Sequence, residues 1–173
     1  MAAQAMVIGS QLTSTIVLAR LLTPDDYGVI AMTMAIISFA GLFRELGLSS
    51  AAIQKKDLTR ELQSNLFWTN VAVGSLLTLI TYSIAPAVAS FYNRQELLPV
   101  TQALSITFLI SSFGTQNGAD LIKNLKFGRK ALATVFGSLA NLIVAVTLAI
   151  KGYGYWSLVW GILSGVLITS TLL

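Results

Sequence analysis

The sequence predicts an all-α integral membrane protein, a bundle of six transmembrane helices. Three observations carry this. Of 173 residues, 55% are hydrophobic and only 10% are charged, whereas a soluble domain carries about 25% charged residues. So few charges cannot cover a water-facing surface. The mean hydropathy is high, at +0.76. The charges are also clustered, which leaves charge-free stretches at 1–19, 27–43, 62–93, 97–119, 131–150 and 152–173. A helix crosses the hydrocarbon with about 20 mostly apolar residues. Membrane strands would instead show alternating segments of roughly 10 residues, and these runs are longer and continuous.

The first helix is expected over about 2–21. It is polar for a spanning segment, with Gln4, Ser10, Gln11, Thr13, Ser14 and Thr15. Such a helix has to hide one face from lipid, against protein or a wet cavity. It lacks a basic leading region and does not read as a signal peptide. "TPDDYG" follows as a turn and helix start. Thr23 suits the N-cap, Pro24 the first helical position, and Asp25 and Asp26 the positive helix terminus.

The second helix is expected over about 26–46, ending at "FRELG" with Gly47 as a C-cap. The third, about 64–90, lies in the longest charge-free stretch. Two crossings there would need about 40 residues plus a turn, so Pro86 and "FYN" mark one helix ending in the interface. The fourth is expected over about 98–121 and the fifth over about 130–150, with Ala133, Gly137 and Asn141 on one stripe. The sixth, about 154–173, repeats Ser157, Gly161, Gly165 and Thr169. Small residues at that spacing let helices pack closely. Tyr153, Tyr155, Trp156 and Trp160 read as an interfacial aromatic belt. The connections are short, so helices adjacent in sequence are expected to pack side by side.

Basic residues set the orientation. The 44–61 connection holds Arg44, Lys55, Lys56 and Arg60, and the 123–130 connection holds Lys123, Lys126, Arg129 and Lys130. The other three hold only Arg20, Arg94 and Lys151. The positive-inside rule puts the rich connections and the N-terminus in the cytoplasm. The net charge of +4 is thus topogenic and suited to lipid headgroups, and it gives no sign of nucleic-acid binding.

The chain has no cysteine and no histidine. Disulfides, thiolate chemistry, the usual zinc and haem sites, and any Ser/His/Asp triad are excluded. No phosphate-cradling glycine loop is present. The expectation is a non-enzyme without catalytic residues, metal or cofactor. Five residues are candidates for lining a polar cavity, each with a structural alternative. Arg20 either snorkels to headgroups or pairs with Asp25 or Asp26, or it contacts an anion, which guanidinium grips in a bidentate manner. Arg44 and Glu45 either end a helix at the interface or face a central cavity. Gln116 and Asn117, within "SSFGTQNGADLIKN", either join a GxxxG packing face (Gly114, Gly118) with Asp120 pairing to Lys123, or line the same cavity.

"LARLLTPDDYGVIAM", "LFRELGLSSAAIQKKDLT", "LFWTN", "APAVASFY", "ADLIKNLKF" and "GYGYWSLV" occur in that order. Together they resemble the N-terminal portion of Wzx-type polysaccharide flippases, lipopolysaccharide or exopolysaccharide biosynthesis proteins of the multidrug/oligosaccharidyl-lipid/polysaccharide flippase superfamily. The resemblance implies two six-helix lobes around a central cavity, of which residues 1–173 would form the first. It implies movement of undecaprenyl-pyrophosphate-linked oligosaccharide by alternating access in the bacterial cytoplasmic (inner) membrane. Arg20 and Arg44 match the places of cavity arginines in related flippases, and Glu45 an acidic position before a glycine. The expected partners are the lipid-linked oligosaccharide, membrane lipids, and a second lobe or partner half. Two rival readings are a multidrug or ion-coupled exporter of the same superfamily and a structural or non-functional membrane fragment.

Overall fold

The structure, a computed structural model, describes the backbone of residues 2–54, 60–123 and 127–173, and the side chains of 6–42, 65, 67–114 and 128–173. Within those residues there are six α-helices and no strand: α1 (Ala2–Leu21), α2 (Pro24–Gln54), α3 (Arg60–Phe91), α4 (Leu97–Lys123), α5 (Phe127–Ile150) and α6 (Tyr155–Leu172). The all-α class read from the charge-free runs is correct. Five helices, α2 to α6, are long and apolar enough to cross a membrane among the described residues, while the apolar part of α1 is the shorter Met6–Leu21.

Two ends differ from expectation. Helix α2 does not stop at Gly47 but runs on to Gln54. A glycine inside a helix costs only about 1 kcal/mol, and Leu48, Ala51 and Ala52 beyond it are good helix formers. Helix α3 begins at Arg60 and carries Pro86 inside it. It ends at Phe91, after which Asn93 takes φ 53, a left-handed conformation that asparagine adopts more readily than most residues.

The start of α2 follows the expected cap. The Thr23 hydroxyl accepts a hydrogen bond from the Asp26 N–H (3.3 Å), and the Asp26 carboxylate accepts from the Thr23 N–H (2.9 Å) and hydroxyl (2.7 Å). This is a reciprocal capping box with aspartate in the third helical position.

Helix α4 occupies the centre. It packs against α3, α6 and α2, and touches α5 more lightly; α5 in turn packs on α6 and on α1. Among the described residues, α1 lies against α5 and not along α2, which corrects the expectation of side-by-side packing for this pair. The cause lies in the faces each helix presents. Ser10 of α1 bonds Ser138 of α5 (3.0 Å), and Leu18 and Leu22 pack on Ala145 and Ala149. Helix α2 instead turns Val29 towards Val88, Ala89, Leu97, Val100, Leu104 and Val159. The two helices start together and diverge.

In lipid there is no hydrophobic drive between helices, so close van der Waals packing has to hold them. The small-residue stripes do this. A Cβ on Gly161 would sit 2.8 Å from the Ala145 side chain, and one on Gly165 would sit 3.0 Å from the Gly137 carbonyl. A Cβ on Gly114 would sit 2.7 Å from Ser170 Oγ, so α4 and α6 are equally close. The Ser170 hydroxyl also donates across to the Ile110 carbonyl (2.7 Å). Gly118, the other half of GxxxG, lies outside the residues with described side chains. Buried hydroxyls such as Thr33 and Ser112 satisfy themselves on carbonyls one turn back, which makes them tolerable in an apolar interior.

Of the expected aromatic belt, Tyr153 and Trp160 are exposed. Tyr155 and Trp156 are partly buried against the cluster around Leu104.

Candidate functional site

The α1–α2, α3–α4 and α5–α6 connections meet at one end of the bundle. Two aspartates join them. Asp25 forms an ion pair with Arg94 of the α3–α4 connection (2.6 Å), and Arg94 lies 3.8 Å from Glu96. Hydrogen bonding to Asp25, reinforced by its charge, raises the Arg94 guanidinium above its ordinary pKa. Asp26 uses its second carboxylate oxygen to accept from the backbone N–H of Tyr155 (2.9 Å). That residue opens α6, so one carboxylate caps two helices. Gly154 is required beside it: its φ is 53, and a Cβ there would lie 2.9 Å from Asp26 Oδ1.

Arg20 lies in the last turn of α1 and is exposed. Its seven-residue spacing from Thr13 puts both on one face of α1, away from the Ser10 and Leu18 face that meets α5. Neither aspartate is its partner, because Asp25 is paired with Arg94 and Asp26 serves Thr23 and Tyr155. Among the described residues Arg20 forms no ion pair.

The side chains of Arg44, Glu45, Gln116 and Asn117 lie outside the described residues, as do those of Asp120 and Lys123. Their backbone positions are informative. From Pro24 to Arg44, α2 climbs about 30 Å at 1.5 Å per residue. From Leu97 to Gln116, α4 climbs nearly as far, in the same direction. Arg44, Glu45, Gln116 and Asn117 therefore share one end of the bundle, and Arg20 sits at the other. The backbones of the two arginines stand at opposite ends of the bundle, about as far apart as the hydrocarbon is thick.

Sequence reasoning missed Arg94 and the second role of Asp26. Both contacts join residues far apart in the chain, and no local pattern announces them. The Asp25–Arg94 pair is solvent-exposed, and exposed pairs contribute little. Removing it with Asp25→Asn and Arg94→Gln, singly and together, is expected to lower the melting temperature of the detergent-solubilised protein by no more than about 2 °C. The coupling between the two changes should vanish in high salt.

No group of three metal-ligating side chains occurs among the described residues. A family model described as polysaccharide biosynthesis protein matches residues 17–173. The chain belongs to that family.

Polysaccharide biosynthesis proteins similar to this chain come from several bacteria. It is 25% identical over 168 residues to the lipopolysaccharide biosynthesis protein WzxC of Escherichia coli, covering 97% of this chain and 33% of WzxC. It is 24% identical over 150 residues to the succinoglycan biosynthesis transport protein ExoT of Rhizobium meliloti, covering 87% and 30%. It is 34% identical over 103 residues to the teichuronic acid biosynthesis protein TuaB of Bacillus subtilis, covering 60% and 21%. The chain thus spans a third or less of the length of these relatives. No solved structure matches it. The five long apolar helices and the family together make it a multi-pass membrane protein.

Proposed function

We propose that the chain forms the N-terminal six-helix lobe of a transporter for undecaprenyl-pyrophosphate-linked oligosaccharide in the bacterial cytoplasmic membrane. It works by alternating access, together with a second lobe or partner half. The N-terminus and the two arginine- and lysine-rich connections face the cytoplasm. The Asp25–Arg94 end faces outward.

The observation that carries this reading is the placement of Arg20 and Arg44. Arg20, exposed and without an ion pair among the described residues, stands at the outer end, and the backbone of Arg44 lies about 30 Å along α2 from Pro24. A pyrophosphate crossing the membrane needs a cation at each end of its path. Arg44 would receive the headgroup from the inner leaflet, with Gln116 and Asn117 at the same depth, and Arg20 would receive it at the outer end. Guanidinium suits this because it binds phosphate in a bidentate manner and is weakly hydrated. Relatives named for lipopolysaccharide, succinoglycan and teichuronic acid biosynthesis support a glycan as the cargo class.

Complementation of a strain lacking the encoding gene tests the reading. Arg20→Ala and Arg44→Ala should each cut export of the surface glycan by about tenfold or more, the scale set by losing one charge-assisted contact. Lysine at either place should restore part of it. Wild-type export from both alanine variants, at equal membrane abundance, would refute the assignment.

A further inference from the structure

We propose that the groove between α1 and α6, floored by Asn141 of α5, binds uncharged sugar residues of the transported glycan. The proposal deepens the transport reading and rests on it for the cargo class.

The packing makes the groove. Among the described residues, α1 and α6 each pack along α5 but not along each other. Asn141 stands at the angle between them. On one side it lies between Ser138 and Ala145, which meet Ser10 and Leu18 of α1. On the other, its side chain lies against Gly161 and Gly165 of α6. Ser14 is at the matching level of α1, midway between Ser10 and Leu18, and Gln11 shares its face three residues earlier. Leu158 and Tyr27, packed on Leu18 and Ala145, cap the groove towards the connections. Asn141 lies nine residues before the end of α5, about 14 Å deep, close to half of the roughly 30 Å hydrocarbon.

The side chains of Gln11, Ser14 and Asn141 form no hydrogen bond among the described residues. Ser10 and Ser138, one turn away, bond each other and their own helix carbonyls. Gln11 is exposed, and Ser14 and Asn141 are half-buried. Bare amides and hydroxyls are costly in hydrocarbon, so this cluster calls for water or a ligand. Charge selects the ligand. Residues 1–19, 131–150 and 152–173 carry no charge. An ion in this groove would shed its water with no counter-charge to replace it. A sugar has no charge to desolvate. Its hydroxyls both donate and accept, which suits an amide with two donors and an acceptor, and a serine that does both. The pyrophosphate is left to the arginines, and the glycan takes the neutral middle.

The chain has no cysteine, so single cysteines report on the groove. Gln11→Cys and Asn141→Cys are compared with Leu12→Cys and Ile143→Cys, neighbours at nearly the same depth whose native side chains are 59% and 63% exposed. Each full-chain variant is placed in nanodiscs and treated with a charged, membrane-impermeant methanethiosulfonate. Thiols react as thiolates, which form in water and not in lipid. The two groove positions should therefore react at least about tenfold faster than their neighbours. Gln11 is exposed, so its variant keeps the test valid where Asn141→Cys fails to fold. Maltotriose, titrated upward, should slow groove labelling about threefold or more, the protection of a site about two-thirds filled. Inorganic pyrophosphate and sodium chloride at matched ionic strength should leave it unchanged.

Equal labelling of groove and neighbour positions would overturn the proposal. Fast labelling that maltotriose does not slow would overturn it too, and so would protection by pyrophosphate or by sodium ions. Labelling requires no export. Unchanged export from the Arg20 and Arg44 variants would sink the pyrophosphate assignment and leave this result standing.

Discussion

Gly137→Leu is expected to destroy the bundle. A Cβ at Gly137 would collide with the Thr169 hydroxyl and lie 2.8 Å from the Gly165 carbonyl. The hydroxyl could rotate away, but the carbonyl belongs to the α6 backbone and cannot. Overpacking a well-filled site by single methylenes typically costs about 1–3 kcal/mol. Leucine adds four carbons at a point where two backbones touch, so the loss should exceed about 3 kcal/mol. Helices α5 and α6 would have to separate, and α6 also carries α4 through Gly114 and Ser170. Gly128→Leu is the control, because nothing lies within 4 Å of a Cβ there, and the new side chain should be neutral or slightly stabilising. Size-exclusion profiles and melting curves of the two detergent-solubilised variants check this. Equal melting temperatures would mean that the α5–α6 contact does not hold the fold.

That interface was legible in the sequence. Ser157, Gly161, Gly165 and Thr169 recur every four residues, and Ala133, Gly137 and Asn141 do the same on the preceding helix. A connection of a few residues forces the two helices to lie antiparallel, so the stripes could find only each other. The α1–α2 pair shows where this logic stops. Its connection is as short, yet α1 packs on α5. Short connections fix where helices begin, and the faces decide where they go. The face of α1 carries Ser10 and Leu18, which match Ser138 and Ala145 across 128 and 127 positions of sequence. No local periodicity encodes that match.

The candidate site was legible in part. The type and order of its residues came from reading Arg20 and Arg44 at the ends of apolar runs. Their separation was legible too, because a second helix expected over about 26–46 already puts Arg20 and Arg44 at opposite ends of it, and the continuous α2 backbone agrees. Of the alternatives for Arg20, pairing with an aspartate of "TPDDYG" is the one that the geometry removes. Asp25 and Asp26, being adjacent, point about 100° apart on the first turn of α2. One reaches Arg94 and the other reaches α6, so Arg20 has neither.

Asp26→Ala is expected to have the next largest effect, although it removes only one small, partly exposed side chain. Loss of an N-cap acceptor costs about 0.5–2 kcal/mol, and Asp26 supplies such acceptors to two helices at once. One oxygen closes the capping box with Thr23 at α2, and the other takes the Tyr155 N–H at α6. Both bonds are made by a carboxylate facing a positive helix terminus, which strengthens them. The combined loss should be about 2–3 kcal/mol, and melting of the detergent-solubilised variant should reveal it. Two further substitutions separate the contributions. Asp26→Asn keeps one carbonyl oxygen but presents amide hydrogens to the other N–H, so it should lose at least half the full effect. Asp26→Glu retains the capping-box pattern at α2 but is one methylene too long for the fixed 2.9 Å contact with Tyr155. It should protect α2 and still loosen α6. If Asp26→Asn melts with the wild type, neither cap depends on the carboxylate, and α6 must be held at this end by the apolar contacts of Tyr155 and Trp156 alone.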